Sequence, residues 1–143
     1  MTPHQIHLIR SSFEPLKPLA NSVAQAFYAQ LFARDPALRA LFRGDLAEQG
    51  ERLMQMMGAA IQLLDHPASL RPVLLKLGQR HAGYGVVHAH YASVGAALLD
   101  TLAAGLGDAF TAEVRKAWAT MYAVVAQTMQ EGAAADLPQA LAA

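Results

Sequence analysis

The chain has 143 residues, which suits one domain with one core, and 54% of them are apolar against 15% charged. Formal net charge is zero, with no basic face and no polybasic tail, so neither nucleic acid nor anionic lipid is an expected partner. The absence of cysteine excludes disulfides, thiolate-held zinc, iron–sulfur clusters and the covalent attachment of c-type haem.

Alanine and leucine dominate while β-branched residues are sparse, which favours helix over sheet. The N-terminus, Met1-Thr2-Pro3-His4-Gln5-Ile6-His7, does not read as a signal peptide. It reads instead as an N-cap (Thr2), a first-turn proline and a capping-box partner (Gln5). Ile6, Leu8, Ile9, Phe13 and Leu16 mark a first helix, which Pro15 and Pro18 end or bend near Leu19. A second helix is expected over about residues 21–33, with Val23, Ala24, Phe27, Tyr28, Leu31 and Phe32 at three- and four-residue spacing. Asp35-Pro36 restarts a short helix over 37–41, and Gly44 breaks the chain. Asp45 with Glu48 then opens a long helix to about residue 64, whose apolar positions include Leu46, Leu53, Met54, Met57 and Ile61.

After the turn Asp65-His66-Pro67, a helix is expected over 69–81, with Pro72 tolerated in its first turn. Gly83, Gly85 and the run to His90 make a corner. A helix over about 89–104 ends at Gly105 and Gly107, and Thr111 with Glu113 opens a last helix that ends near Gly132. Residues 1–132 therefore read as one all-α domain of six or seven helices, and residues 133–143 as a frayed tail. Unequal helix lengths and prolines in the loops fit crossed helices around something central better than an up-down bundle. No apolar run is long enough to span a bilayer, so a cytoplasmic protein is expected.

Six histidines invite a metal-site search, but His4 with His7, and His88 with His90, lack a carboxylate set of recognised spacing. There is no nucleophile elbow, no phosphate loop and no pair of carboxylates on one face. Three polar residues in or near apolar stripes stand out. His81 shares a stripe with Leu74 and Leu77 at the end of its helix, and is either a core histidine satisfied by a backbone carbonyl or a neutral imidazole ligand. Tyr28 lies in the stripe of the second helix beside Phe27 and Phe32, and its hydroxyl either reaches the surface or has a buried task. Gln49, one turn before Leu53, faces either solvent or the interior.

An ordered set of landmarks gives these residues a context. Phe27-Tyr28 with Leu31-Phe32, then Pro36, Leu41-Phe42, Gln49, Arg80-His81, His90-Tyr91 with Val94-Gly95, Gly107, Trp118 and Tyr122 follow one another over about residues 6–129. In that order they resemble the globin family, in particular bacterial single-domain globins and the globin half of flavohaemoglobins. The resemblance implies a globin fold of six to eight crossed helices around a haem pocket, and non-covalent haem b with iron axially ligated by His81. It implies that Phe42 stacks on the haem face and that Tyr28 and Gln49 form a distal hydrogen-bonding pair for a gaseous ligand. Leu53 and Met57 would wall the distal side. Val86, Val94 and Leu98 would pack on the proximal side or haem edge, Tyr91 would approach the proximal histidine, and Arg80 would pair with a propionate or face solvent.

The same resemblance implies reversible binding of dioxygen and other small gases, with nitric oxide dioxygenation through a separate reductase as a further activity. A gas sensor acting through a partner protein, or a haem-free interaction protein on the same fold, are the alternatives. The family pattern also places a glutamate in the last helix against the proximal imidazole. That position falls near Ala133, with Glu131 two residues early, and the resemblance then implies a mainly neutral proximal ligand.

Overall fold

The caps read from the sequence start the helices. The structure is a computed structural model, and it describes residues 1–135. In α1 (Pro3–Phe13) the capping box is complete: Gln5 N–H donates to Thr2 Oγ1 at 3.1 Å, and Thr2 N–H donates to Gln5 Oε1 at 3.0 Å. Pro15 and Pro18 lack the N–H groups an α-helical ladder needs, and the chain tightens there into a 3-10 segment, Glu14–Leu19, that runs directly into α2 (Ala20–Arg34). The expected short helix after Asp35 is likewise a 3-10 segment, Pro36–Leu41.

Asp45 caps α3 (Leu46–Gln62) by accepting from Ala47 N–H at 2.9 Å. In α4 (Pro67–Gly83) one expectation is corrected. Pro67 occupies the first position, so Pro72 lies beyond the first turn, inside the helix. The helix starts two residues before Ser69 because a proline at its first position brings a preset φ and loses no needed donor. Pro72 is then tolerated on an exposed face, where water can satisfy the carbonyl its missing N–H leaves free. After the corner come α5 (His88–Leu106), a 3-10 turn Gly107–Ala109, and α6 (Ala112–Ala134), whose N-cap Thr111 accepts from Val114 N–H at 3.2 Å. Of the tail expected from residue 133, Ala133 and Ala134 complete α6, Ala135 is its C-cap, and the rest lies outside the described residues.

Among the described residues there is no strand, and no helix is long and apolar enough to cross a membrane. α2 packs on both α3 and α5, α1 on α6, and α4 on α6. The main core gathers Ile9, Phe13, Leu31, Leu102 and Trp118 among others, and Trp118 is wholly buried. Its indole N–H still needs an acceptor, and it donates to Ser12 Oγ at 2.8 Å. A second, smaller cluster of Leu70, Leu74 and Met129 lies between α4 and α6. Leu64 and Val125 pack against both clusters and join them. α3 and α4 follow one another in the chain with few close backbone approaches, and Ala60, Leu63 and Leu64 at the end of α3 pack against the Leu70, Leu74 and Met129 cluster.

Candidate cofactor site

His81 occupies the last turn of α4, where the histidine ring can reach back to the carbonyl one turn earlier. Its Nδ1 lies 2.8 Å from the Leu77 carbonyl oxygen. A carbonyl only accepts, so Nδ1 carries the hydrogen. Burial holds the imidazole below its usual value, the Leu77 bond raises it and the Arg80 charge lowers it further. The ring is therefore neutral near pH 7, with its lone pair on Nε2. No described residue bonds to Nε2. The backbone around the ring is fixed as well. The His81 carbonyl accepts from Tyr84 N–H at 3.0 Å and from Val86 N–H at 3.1 Å. Gly85 then turns the corner at φ +97°, close enough to Leu41 that a Cβ would stand 3.3 Å from its Cδ2. The corner after His81 thus closes on the Leu41–Phe42 segment.

An aromatic group forms that neighbouring segment. The Tyr28 and Phe32 rings are stacked, with centroids 6.0 Å apart and planes 10° apart. Phe42 meets both edge-on, at 5.2 Å from each. Arg39 holds this arrangement by donating to the Phe42 carbonyl at 2.9 Å while its guanidinium lies 5.7 Å from the centre of the Phe32 ring. Tyr28 is 7% exposed, and its hydroxyl has no hydrogen-bond partner among the described residues. Burial pushes the phenol up, and the Arg52 charge partly offsets that.

The remaining sequence candidates divide clearly. Leu53, Met57, Val94 and Leu98 pack in or against the same core as Tyr28 and Phe42. Tyr91 packs with Leu77 against the small cluster, and its carbonyl accepts from Tyr122 Oη–H at 2.6 Å. Burial pushes the phenol of Tyr122 up, and the neighbouring Tyr91 adds to the effect. Val86 is half-buried in the corner, and Arg80 is exposed with no ion pair among the described residues. The Gln49 amide N–H donates to the Arg43 carbonyl, which ties the first turn of α3 to the turn before it, while the next residue, Gly50, lies against the Tyr28 ring. Glu131 pairs with Arg71 at 2.8 Å on the exposed face, and the Ala133 position offers no acid.

Sequence reasoning missed Arg39 as the brace on Phe42, although its position three residues earlier, one turn of 3-10 helix, was a usable signal. Among the described residues no group of three or more histidine, aspartate or glutamate side chains could hold a metal ion. A neutral imidazole with a free lone pair can hold a metal here only if a cofactor brings the other ligands. The arrangement fits such a cofactor. His81 brings a ring nitrogen, and the Tyr28, Phe32 and Phe42 group a hydroxyl, that have no hydrogen-bond partner among the described residues.

Crossed helices of unequal length, with a histidine in the last turn of one of them, define an all-α protein of globin architecture. The model of the globin family matches residues 25–129, and the chain belongs to that family. It is 36% identical over 139 residues to the neuroglobin of Danio rerio, covering 87% of each chain. It is 32% identical over 133 residues to the flavohemoprotein of Xylella fastidiosa, covering 91% of this chain and 33% of that protein. To the flavohemoprotein of Deinococcus radiodurans it is 28% identical over 132 residues, covering 90% of this chain and again 33% of the relative. The chain therefore spans about a third of the length of the flavohemoproteins it matches.

Proposed function

We propose that this globin binds haem b without a covalent link, with His81 Nε2 as the axial ligand, and that it binds dioxygen reversibly. The observation that carries this reading is the state of His81: a hydrogen on Nδ1 held by the Leu77 carbonyl, and an Nε2 lone pair with no partner among the described residues. Haem, when bound, supplies the iron at which a diatomic gas is taken up. The chain supplies the rest. The Leu77 carbonyl orients the imidazole and adds to its basicity. Leu53, Met57, Val94 and Leu98 provide apolar walls that exclude water, with Phe42 as the aromatic neighbour of the cofactor face and Val86 at its edge. The Tyr28 hydroxyl, without a partner among the described residues, would donate to the gaseous ligand.

Gln49 contributes only if its amide leaves the Arg43 carbonyl, so Tyr28 is the principal donor in this reading. Arg80, without a carboxylate partner among the described residues, is available to a propionate, and Tyr91 lines the side of Leu77. With no acid among the described residues acting on His81, the imidazole stays mainly neutral, which suits holding dioxygen. Removal of nitric oxide is the second proposed activity. Its balance, nitric oxide plus dioxygen plus one electron to nitrate, requires a reductase as partner. The flavohemoproteins, whose name joins flavin and haem, support looking for one. The proposed setting is the cytoplasm, as expected from the sequence.

Absorption spectroscopy tests the reading. Wild-type protein titrated with haem is expected to show a Soret band at one equivalent, and His81→Ala is expected to lose it or weaken it severely. A wild-type protein that stays colourless with ample haem, or a His81→Ala protein with an unchanged band, contradicts it. Mixing the dioxygen-loaded protein with nitric oxide and assaying nitrate tests the second activity. Turnover with a competent reductase supports it, and a single stoichiometric burst counts against it.

A further inference from the structure

α4 carries His81, and among the described residues its close backbone approach is to α6, while Ala60, Leu63, Leu64 and Tyr91 reach its small apolar cluster through side chains. Two glycines make the α4–α6 approach possible. A Cβ on Gly78 would stand 1.8 Å from the carbonyl oxygen of Met129, and a Cβ on Gly132 would stand 2.0 Å from that of Leu75. The contacts are reciprocal, because each helix turns a glycine toward a backbone carbonyl of the other. No rotamer change relieves either clash, since the obstacle is main chain. Each glycine Cα–H instead points at a carbonyl oxygen, a weak attractive contact. Gly83, on the same helix two residues past His81, has open space where a Cβ would go. Close approach therefore belongs to Gly78 and Gly132, not to glycine on α4 generally.

Distance from the site gives these contacts their consequence. Gly78 follows Leu77, whose carbonyl orients the imidazole, and precedes His81 by three residues. A displacement of α4 at Gly78 moves the ring and its orienting acceptor together. Only three buried residues, Leu70, Leu74 and Met129, make up the apolar cluster behind this part of the helix. The Arg71–Glu131 ion pair that joins the two helices is exposed, and such pairs stabilise little.

We infer that Gly78 and Gly132 form a backbone-to-backbone lock that docks α4 on α6 before any cofactor is bound and so sets the position of the His81 imidazole. The inference about position rests on the reading of His81 as the iron ligand; the docking itself does not. Gly78 and Gly132 are positioning residues in this account and touch no ligand.

Two experiments test the lock. In the haem-free full-length chain, hydrogen–deuterium exchange at amides 74–81 is expected to be at least about a hundredfold slower than in free peptide. Exchange of these amides at the free-peptide rate, whether or not α6 stays protected, overturns the lock. The second experiment uses haem-loaded Gly78→Ala and Gly132→Ala, with Gly83→Ala and Leu74→Ala as controls. Both glycine-lock variants are expected to shift the iron–histidine stretching band in resonance Raman and to speed haem loss about tenfold or more. Gly83→Ala should change neither, and Leu74→Ala should lower the melting temperature without moving the band. An unmoved band in both lock variants, or an equal shift in Leu74→Ala, contradicts the positioning role. If the lock variants do not fold, exchange in the wild-type chain still decides. If the wild-type chain takes up no haem, the ligand reading fails while the exchange result still judges the docking.

Discussion

His81 shows how two readings of one histidine are separated by its second nitrogen. The bond from Nδ1 to the Leu77 carbonyl serves a core histidine and an iron ligand equally well; an Nε2 with no partner among the described residues is what the second requires. Sequence placed the residue on an apolar stripe and could go no further, because the fate of each ring nitrogen depends on the rotamer. Gln49 makes the same point in the other direction. Its helical face was legible, yet the Arg43 carbonyl captures its amide. Gln49→Ala is therefore expected to change the dioxygen off-rate by less than about threefold, while Tyr28→Phe should raise it about tenfold, the equivalent of one lost hydrogen bond of about 1.5 kcal/mol. Flash photolysis or stopped-flow displacement measures both, and a larger effect at Gln49 than at Tyr28 would reverse the assignment. Acid should also act through His81. Burial depresses its folded-state titration below the ordinary 6.5, so the unfolded chain takes up a proton at a pH where the folded chain does not. This contribution to the stability of the haem-free protein is fully retained above about pH 6.5 and falls as the pH drops below it. Urea midpoints at about pH 7.5 and 5.5 should show a smaller decline in His81→Ala than in wild type; equal declines would remove His81 as the cause.

The elements differ in how far their sequence announces them. Thr2, Asp45 and Thr111 were readable as N-caps because capping is a local hydrogen bond between residues two or three apart, and all three side chains make it. Proline effects were only half readable. Pro15 and Pro18 tighten the chain into a 3-10 segment instead of opening a loop, and the start of α4 at Pro67 leaves Pro72 inside that helix. The Gly78–Gly132 contact was not readable at all. An isolated glycine in a helix signals a possible close approach, but which carbonyl meets it is fixed by the crossing of two helices far apart in sequence. Asp45→Ala tests an element directly. It removes the cap of α3 and is expected to cost about 1 kcal/mol, visible as a fall of about 3–5 °C in melting temperature. No fall would mean that the Gln49–Arg43 bond holds the first turn of α3 by itself.

At the scale of the molecule, the all-α fold was legible because apolar spacing and caps agree along the chain, and because landmarks from Phe27 to Trp118 occur in globin order. The pairing of helices was less legible, since it depends on which faces meet. α4 rests on α6 and α3 on α2, and the first of these pairings does not follow from chain order. Trp118 ties the far side of that assembly together through Phe13 and Ser12, so Trp118→Ala should cost about 3–5 kcal/mol in denaturant unfolding; a loss below about 1 kcal/mol would show that the core can close over the missing ring. The central claim, that His81 Nε2 is what holds the iron, is tested most directly by removing the side chain and returning it as a free molecule. His81→Gly protein mixed with haem should lack the Soret and iron–histidine bands of the wild type and regain both when imidazole is added, with haem again raising the melting temperature. Wild-type bands that persist in His81→Gly without imidazole would contradict the claim.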